Sequence, residues 1–199
     1  MNKKSVKQIC ISYLFVVLAV AIDQITKYLA TVYLKGQETI ALIPGVFELK
    51  YLENTSAAFS FDPVTLLHKI FHISYFDANP DAFLWSKMAF FALMTIVVLF
   101  FILMMYPRIP LNRHWLPLNL ICLGILAGSI GNFIDRLFRR YVIDFFYFKL
   151  IDFPIFNVAD IFVTVSAFSL VFVILFFYQE EDIEVLFPPK NKKVGEKNP

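Results

Sequence analysis

The chain has 199 residues, of which 59% are hydrophobic and only 17% are charged, and phenylalanine alone occupies 24 positions. Such a composition is too apolar for an ordinary soluble domain and is typical of a membrane protein. The formal net charge is +2, and the basic residues form no stripe with exposed aromatic residues between them. We therefore expect a single membrane domain and no nucleic-acid partner.

Four apolar segments are long enough to cross a bilayer as helices. Their approximate bounds are 9–34, 83–106, 116–136 and 160–178. The first follows a lysine-rich arm and resembles a secretory signal peptide, but its apolar character resumes beyond Asp23, so we expect an uncleaved first helix. The predicted fold class is membrane all-α, a four-transmembrane-helix bundle within a single domain over 1–178. The charged tail over 179–199 is predicted to be disordered.

The segment between the first two spans has a different pattern. After the turn at Pro44 and Gly45, Phe47, Leu49 and Tyr51 recur with a period of two residues, which is typical of a β-strand. We therefore expect a small extracytoplasmic β-sheet, or β-cradle, with its loop over about 38–82.

Residues 62–81 contain His68 and His72, which have the i, i+4 spacing of a helical metal pair. No further ligand lies near them in the sequence, so we favour a short interfacial amphipathic segment and expect no metal site. The apolar positions of this segment are Leu66, Leu67, Ile70, Phe71 and Ile73. In the third span, Gly124 with Gly128 and Ala127 with Gly131 have the small-xxx-small spacing that lets helices approach closely.

Four spans place both termini on the same side of the membrane. Half of the 18 lysines and arginines lie in the N-terminal arm, the turn over 107–114 and the tail, which identifies that side as cytoplasmic. A group of polar residues is then predicted to lie together at the opposite face. These residues are Asp23, Asn54, Asn132, Asp135, Arg136, Asp144, Asn157 and Asp160.

Asp144 and Asp160 are the candidate catalytic residues of this group. Asp144 lies in a run of aromatic residues, where burial would raise its pKa above the ordinary value of about 3.9. If Asp160 lies close to it, the two carboxyl groups should share one proton, as in an aspartic peptidase. Asn157 and Asp160 also have the spacing of a capping box, which needs no catalysis but would hold the carboxylate in position.

The neighbouring polar residues have more than one interpretation. Asp23 and Lys27 are four residues apart on one helix face, which suits either a structural ion pair or direct contact with substrate. Asn132 and Asp135 share a face of the third helix, with Arg136 beside it.

Two other function classes are less consistent with the sequence. Other hydrolytic mechanisms lack their parts, since there is no Gly-x-Ser-x-Gly and neither cysteine has an evident histidine partner. A small transporter or lipid-binding channel would need charges at mid-span, whereas the interiors of the second and fourth spans are almost uncharged.

Five motifs occur in the order found in bacterial lipoprotein signal peptidases, also called signal peptidase II, and the chain resembles that family over about residues 10–178. The motifs are Asp23-Gln-Ile-Thr-Lys27, Asn54-x-x-x-Ala-Phe59, Gly128-x-x-Gly-Asn-x-x-Asp-Arg136, Val142-Ile-Asp144-Phe and Phe156-Asn-Val-Ala-Asp160. Five ordered motifs spread over four spans are a specific match.

The resemblance implies an inner-membrane aspartic endopeptidase, with its active site toward the periplasm. Such an enzyme cuts prolipoproteins just before the diacylglyceryl-modified cysteine, and it needs no cofactor. Asp144 and Asp160 match the family's catalytic pair. The implied partners are the lipidated prolipoprotein, membrane lipids and globomycin-type cyclic peptide inhibitors, and we expect a monomer. The substrate-binding or supporting positions are Asp23, Lys27, Asn54, Asn132, Asp135, Arg136 and Asn157.

The chain departs from the family's pattern at three places. Ser56 stands where the family usually has glycine, Ala127 replaces the first of two glycines, and the segment over 62–81 is longer than usual. These departures concern the rim of the expected substrate site and leave the pair of aspartates unchanged.

Overall fold

The computed structural model describes residues 4–56 and 62–187. Four of its helices are long and apolar enough to cross a membrane, and they begin and end close to the predicted apolar segments. They are α1 (Val6–Tyr33), α4 (Pro80–Met105, continued by a 3-10 turn over Tyr106–Arg108), α5 (Leu116–Arg139) and α6 (Val158–Phe176). The predicted four-helix membrane fold is confirmed.

Helix α5 is the centre of the bundle and packs against α1, α4 and α6. Its glycines make this packing possible, as their spacing predicts. A Cβ atom at Gly128 would lie 2.3 Å from the carbonyl oxygen of Ala159, and one at Gly131 would lie 2.6 Å from Oδ2 of Asp23. Side chains at these two positions would therefore push α5 away from α6 and α1.

A three-stranded antiparallel sheet with the order β1-β2-β3 lies against the end of the bundle where α1 ends and α6 begins. Its strands are β1 (Ile40–Ile43), β2 (Phe47–Asn54) and β3 (Val142–Tyr147). In the pairing of β2 with β3, Leu52 lies opposite Asp144 and Asn54 lies opposite Val142.

The alternation of β2 was predicted from the sequence, but strand β3 was not. Residues 142–145 are all buried, with exposed fractions of 1 to 5%. A strand buried on both faces shows no alternation of polar and apolar residues, so its periodicity carries no strand signal.

The segment over 62–81 forms two short helices, α2 (Pro63–Phe71) and α3 (Ser74–Ala78). Asp62 caps α2 and pairs with Lys87 of α4 at 2.5 Å, which fastens the segment to the bundle. The imidazole of His68 lies 3.1 Å from the Asp77 carboxylate, while His72 ends α2 in the left-handed conformation. Within the described ranges, no group of three or more potential metal ligands is gathered.

At the other end of the bundle, a buried cluster joins α1, the turn after α4 and α5. Its members are Val16, Ala19, Tyr106, Ile109, Trp115, Leu123, Leu126 and Ala127. The tail folds back onto this end as α7 (Glu180–Leu186), where Asp182 contacts His114 at 2.7 Å. The prediction of a disordered tail is therefore wrong over α7, because a contact with the 107–114 turn orders it. For residues 188–199 the prediction lies outside the described residues.

Candidate active site

Asp144 lies in the middle of β3 and is only 1% exposed. Each of its carboxylate oxygens accepts a hydrogen bond from a neutral amide. Asn54, at the end of β2, donates from Nδ2 to Oδ2 at 2.8 Å, and Asn157 donates from Nδ2 to Oδ1 at 2.6 Å. The sheet therefore places Asp144, and two asparagine side chains fix its orientation.

Asp160 lies in the first turn of α6, and the predicted capping box is present there. Asn157 is the N-cap: its side-chain oxygen accepts from the Asp160 amide at 2.9 Å, and Oδ2 of Asp160 accepts from the Asn157 amide at 3.2 Å. The second carboxylate oxygen, Oδ1, accepts from Nδ2 of Asn132 on α5 at 2.8 Å. The helix cap therefore also positions an acidic side chain.

Asn157 connects the two carboxylates, because its side-chain amide bonds to Asp144 and its backbone amide bonds to Asp160. Both aspartates line the same cavity, which has a volume of about 490 Å³. Within the described ranges neither of them forms an ion pair. Two acidic groups are thus gathered at one cavity with neutral donors as their partners.

The electrostatics of Asp144 follow from this arrangement. Burial, and after it the nearby charge of Asp160, raise the pKa of Asp144 from its ordinary value to about 7. The hydrogen bonds from Asn54 and Asn157 act in the opposite direction, because they stabilise the ionised form. Burial outweighs them, so Asp144 can hold a proton near neutral pH.

A second buried group lies behind the cavity, around Lys27 of α1. The ammonium nitrogen of Lys27 is 2.9 Å from each of three acceptors, Oδ2 of Asp23, Oδ2 of Asp135 and Oδ1 of Asn132. The three protons of the ammonium group therefore all have a partner. Lys27 and Asp135 are 0% exposed and Asp23 is 1% exposed, which favours the structural ion pair over direct contact with substrate.

Two oxygens of this group also hold the two chain segments that carry Asp144 and Asp160. Oδ1 of Asp23 accepts from the backbone amide of Ala159 at 2.8 Å, and Oδ2 of Asp135 accepts from that of Ile143 at 3.3 Å. Arg139 supplies a second cation to Asp135 at 2.5 Å. Asp135 therefore supports the strand next to Asp144 and does not line the cavity, although the sequence placed it on the same helix face as Asn132.

Arg136 does line the cavity, as its place beside that face suggested. Its Nη2 donates to the carbonyl oxygen of Ser56 at 3.1 Å, and its guanidinium lies 5.1 Å from the ring centroid of Phe91. Arg136 thus holds the chain that follows Asn54. The remainder of the Asn54 motif, over 57–61, lies outside the described residues.

Three polar residues at the outer end of the cavity were not predicted as site residues from the sequence: Lys50, Tyr147 and Asp152. One signal was available for Lys50, since Lys50, Leu52 and Asn54 alternate along the predicted strand. Tyr147 and Asp152 could not be placed without recognising β3.

A four-helix membrane bundle with one buried and one partly buried carboxyl group at the same cavity is the architecture of a membrane-embedded aspartic peptidase. Comparisons with known proteins define the class further. The family model described as Signal peptidase (SPase) II matches residues 15–176. The chain belongs to the signal peptidase II family, whose members remove signal peptides from prolipoproteins during lipoprotein maturation.

Individual relatives agree with this assignment. Two lipoprotein signal peptidases of Streptococcus pyogenes, from serotype M5 strain Manfredo and serotype M3 strain MGAS315, are each 34% identical to the chain over 169 residues, covering 85% of this chain and 93% of theirs. Two solved structures described as a bacterial membrane enzyme, obtained by the in meso method at 2.3 and 1.9 Å, superpose with a TM-score of 0.65. They are 27% and 26% identical and cover 100% and 89% of this chain and 99% of theirs. The transporter alternative is therefore discarded.

Proposed function

We propose that Asp144 and Asp160 are the catalytic pair of an endopeptidase that cuts prolipoproteins just before their diacylglyceryl-modified cysteine. The observation that carries this proposal is the double contact of Asn157, which holds both carboxyl groups at one cavity. Family membership supplies the reaction class, and the geometry supports the choice of these two residues.

The pair can cleave an amide without a metal. With one proton shared between them, the ionised carboxylate takes a proton from water, and the water oxygen attacks the scissile carbonyl carbon. The protonated carboxyl group donates its proton to the carbonyl oxygen. When the C–N bond breaks, the carboxyl group that took a proton from water gives this proton to the leaving cysteine nitrogen. One of the two hydroxyl groups on the attacked carbon then returns a proton to the carboxylate that had protonated the carbonyl oxygen. This leaves a carboxyl group on the product and restores the pair.

The neutral partners of the pair suit this cycle. A lysine or arginine bonded directly to either aspartate would favour the doubly ionised state, which has no proton to donate. The amides of Asn54, Asn132 and Asn157 instead fix the positions of the oxygens and leave the shared proton in place.

The two ends of the cavity differ in polarity in the way a lipidated substrate requires. Ile161, Thr164 and Val165 of α6 line the end within the membrane span. Lys50 and Asp152 line the end at the sheet. We propose that the acyl chains and the signal peptide occupy the membrane side, while the mature part of the substrate leaves over the sheet. Globomycin-type cyclic peptides would compete for the same cavity.

The proposed orientation has both termini in the cytoplasm and the cavity toward the periplasm. Lys4 donates to the carbonyl oxygen of Tyr106 at 2.7 Å and α7 contacts His114, so the N-terminal arm, the 107–114 turn and the tail meet at one end of the bundle. That end carries the basic segments expected to face the cytoplasm. We propose a monomer as the active unit, because one chain can supply both aspartates and the asparagine donors that hold them.

The test is cleavage of a purified lipidated prolipoprotein by the full-length protein in detergent. Asp144→Asn and Asp160→Asn should each lower the rate by about a thousandfold or more, since each removes a proton-transfer group. Glu38→Gln, which changes an exposed carboxylate outside the cavity, is the matched control. Full activity in either aspartate variant would reject the pair.

Two further measurements define the reaction. A chelator should leave the rate unchanged, and a loss of activity on chelation would favour a metal site instead. The same prolipoprotein without its diacylglyceryl group should be cleaved much more slowly, because it lacks the chains that the membrane side of the cavity would bind. Equal rates for the two substrates would contradict the proposed specificity for the lipidated cysteine.

A further inference from the structure

The outer end of the cavity is formed by a row of side chains that begins at the proposed catalytic pair. Asn54 bonds to Asp144, and Leu52 and Lys50 line the cavity at the next alternate positions of β2. At a rise of about 3.3 Å per residue, Lys50 lies roughly 13 Å along the strand from Asn54. An extended peptide of about four residues covers that distance.

An irregularity of the sheet occurs at Lys50. Two residues of β2, Lys50 and Tyr51, lie between Leu49 and Leu52, whereas β3 has a single residue between the partners Phe146 and Asp144. An extra residue of this kind changes the direction of a side chain and is common beside active sites. In this protein the extra residue occurs at Lys50, whose charged side chain lines the cavity.

Lys50 and Asp152 lie on either side of Tyr147. The Tyr147 hydroxyl donates to Oδ1 of Asp152 at 2.5 Å, and Nζ of Lys50 lies 5.6 Å from the centroid of the tyrosine ring. The other lysines of this region are paired with carboxylates, Lys35 with Glu53 at 2.6 Å and Lys149 with Glu48 at 2.7 Å.

Lys50 differs from those lysines in its partners. Among the residues that the structure describes, it forms no ion pair, and its side chain is exposed. Its ammonium group is therefore available to a carboxylate of a bound peptide.

The position of these charges identifies the part of the substrate that they can meet. A signal peptide and acyl chains lie in the hydrocarbon region, where a charged side chain is costly. The residues that follow the cysteine remain outside the membrane, on the side where the sheet lies. Lys50 and Asp152 can therefore contact only the beginning of the mature lipoprotein.

We propose that Lys50 and Asp152 determine a charge preference for the residues after the lipidated cysteine, with Lys50 favouring an acidic side chain there. This inference rests on the proposed function, since it concerns the substrate of the same cavity. The preference is modest, because an exposed ion pair contributes a factor of about two to five. It weakens as salt screens the charges.

The experiment compares lipidated substrates that differ only in a single Glu, Gln or Lys placed at one of the second to fifth positions after the cysteine. At the position nearest Lys50, the full-length protein should cleave the Glu substrate about threefold faster than the Lys substrate, measured as kcat/KM at low salt. Lys50→Glu should reverse this order and Lys50→Met should abolish it. Asp152→Asn should increase the preference for Glu.

The control variant is Lys69→Glu, which makes the same change of charge on α2, away from the cavity, and should keep the original order. Half-molar salt should bring the ratio of kcat/KM for the Glu and Lys substrates close to one in every variant. If the ratio of kcat/KM for the Glu and Lys substrates is the same in the original protein and in Lys50→Glu at every position, the inference is overturned while the peptidase proposal stands. If no lipidated substrate is cleaved at all, the proposed function itself fails.

Discussion

Two groups of carboxylates lie side by side in this protein, and they differ in the partners that hold them. Asp23 and Asp135 are bonded to the ammonium group of Lys27. Asp144 and Asp160 are bonded to neutral amides. With Arg139 on Asp135, the first group has two cations for its two carboxylates, whereas the second gathers two acidic groups without a directly bonded cation.

The difference in partners separates support from proposed chemistry. Cations keep a carboxylate ionised and hold the chain segments around it, while amides fix the oxygens of a carboxylate and leave its proton free to move. Asn132 connects the two groups, since its Oδ1 accepts from Lys27 and its Nδ2 donates to Asp160. Lys27 thereby determines which way the Asn132 amide faces.

The largest expected effect on stability comes from removing the cation. Lys27→Met leaves Asp23 and Asp135 buried without their ammonium partner, which should lower the free energy of unfolding by about 3–5 kcal/mol. Thermal unfolding in detergent measures this loss. Lys69→Met, at an exposed position on α2, is the control and should stay within about 0.5 kcal/mol of the original protein. A similar result for both variants would show that the ion cluster does not support the fold.

Asn157 allows the capping role to be separated from the proposed catalytic role. Asn157→Ala removes the helix cap and the amide donor to Asp144, so activity should fall about a hundredfold and stability by about 1 kcal/mol. Asn157→Ser restores a good cap but no amide nitrogen, so it should recover the stability and not the rate. If Asn157→Ser restores both the stability and the cleavage rate, the contact of Asn157 with Asp144 has no part in the reaction.

The sequence was informative wherever neighbours along a helix determine the structure. Apolar length predicted the four spans, the i, i+4 spacing predicted the contact of Asp23 with Lys27, and the capping box of Asn157 was present as predicted. These features depend on helix geometry alone, which is the same in every context.

Features that depend on contacts between distant elements could not be predicted from periodicity. Strand β3 is buried on both faces by α1, α5 and β2, and only those contacts identify it as a strand. Asn132 and Asp135 both contact Lys27, as their shared helix face predicts, but only Asn132 also lines the cavity, which depends on how α1 and α6 pack against α5. The alternation of Lys50 with Leu52 and Asn54 predicts a shared face of the strand, but the irregularity in the pairing of β2 with β3 at Lys50 has no local signal.

The pH dependence of the cleavage rate tests whether Asp144 and Asp160 share a proton, which is the proposed difference from the group around Lys27. Because burial holds the pKa of Asp144 at about 7, the pair keeps its shared proton below that pH and loses it above. The rate should therefore fall about tenfold per pH unit on the alkaline side of pH 7. Single-turnover cleavage of a lipidated prolipoprotein measures this alkaline limb of the pH–rate profile. A rate that stays constant up to pH 9 would contradict the need for a protonated carboxyl group.

The smallest effect concerns one amide donor. Asn54 stabilises the ionised form of Asp144, so Asn54→Ala should make ionisation harder and raise the pKa of Asp144. The alkaline limb of the rate profile should then move to higher pH, by about half a unit to one unit, even though the maximum rate falls. Asn79→Ala removes an exposed amide that bonds only locally to the Tyr75 carbonyl oxygen, and it should leave the limb in place. A shift to lower pH in Asn54→Ala would mean that Asn54 stabilises the protonated form, and that the proton of the pair resides on the oxygen facing Asn54.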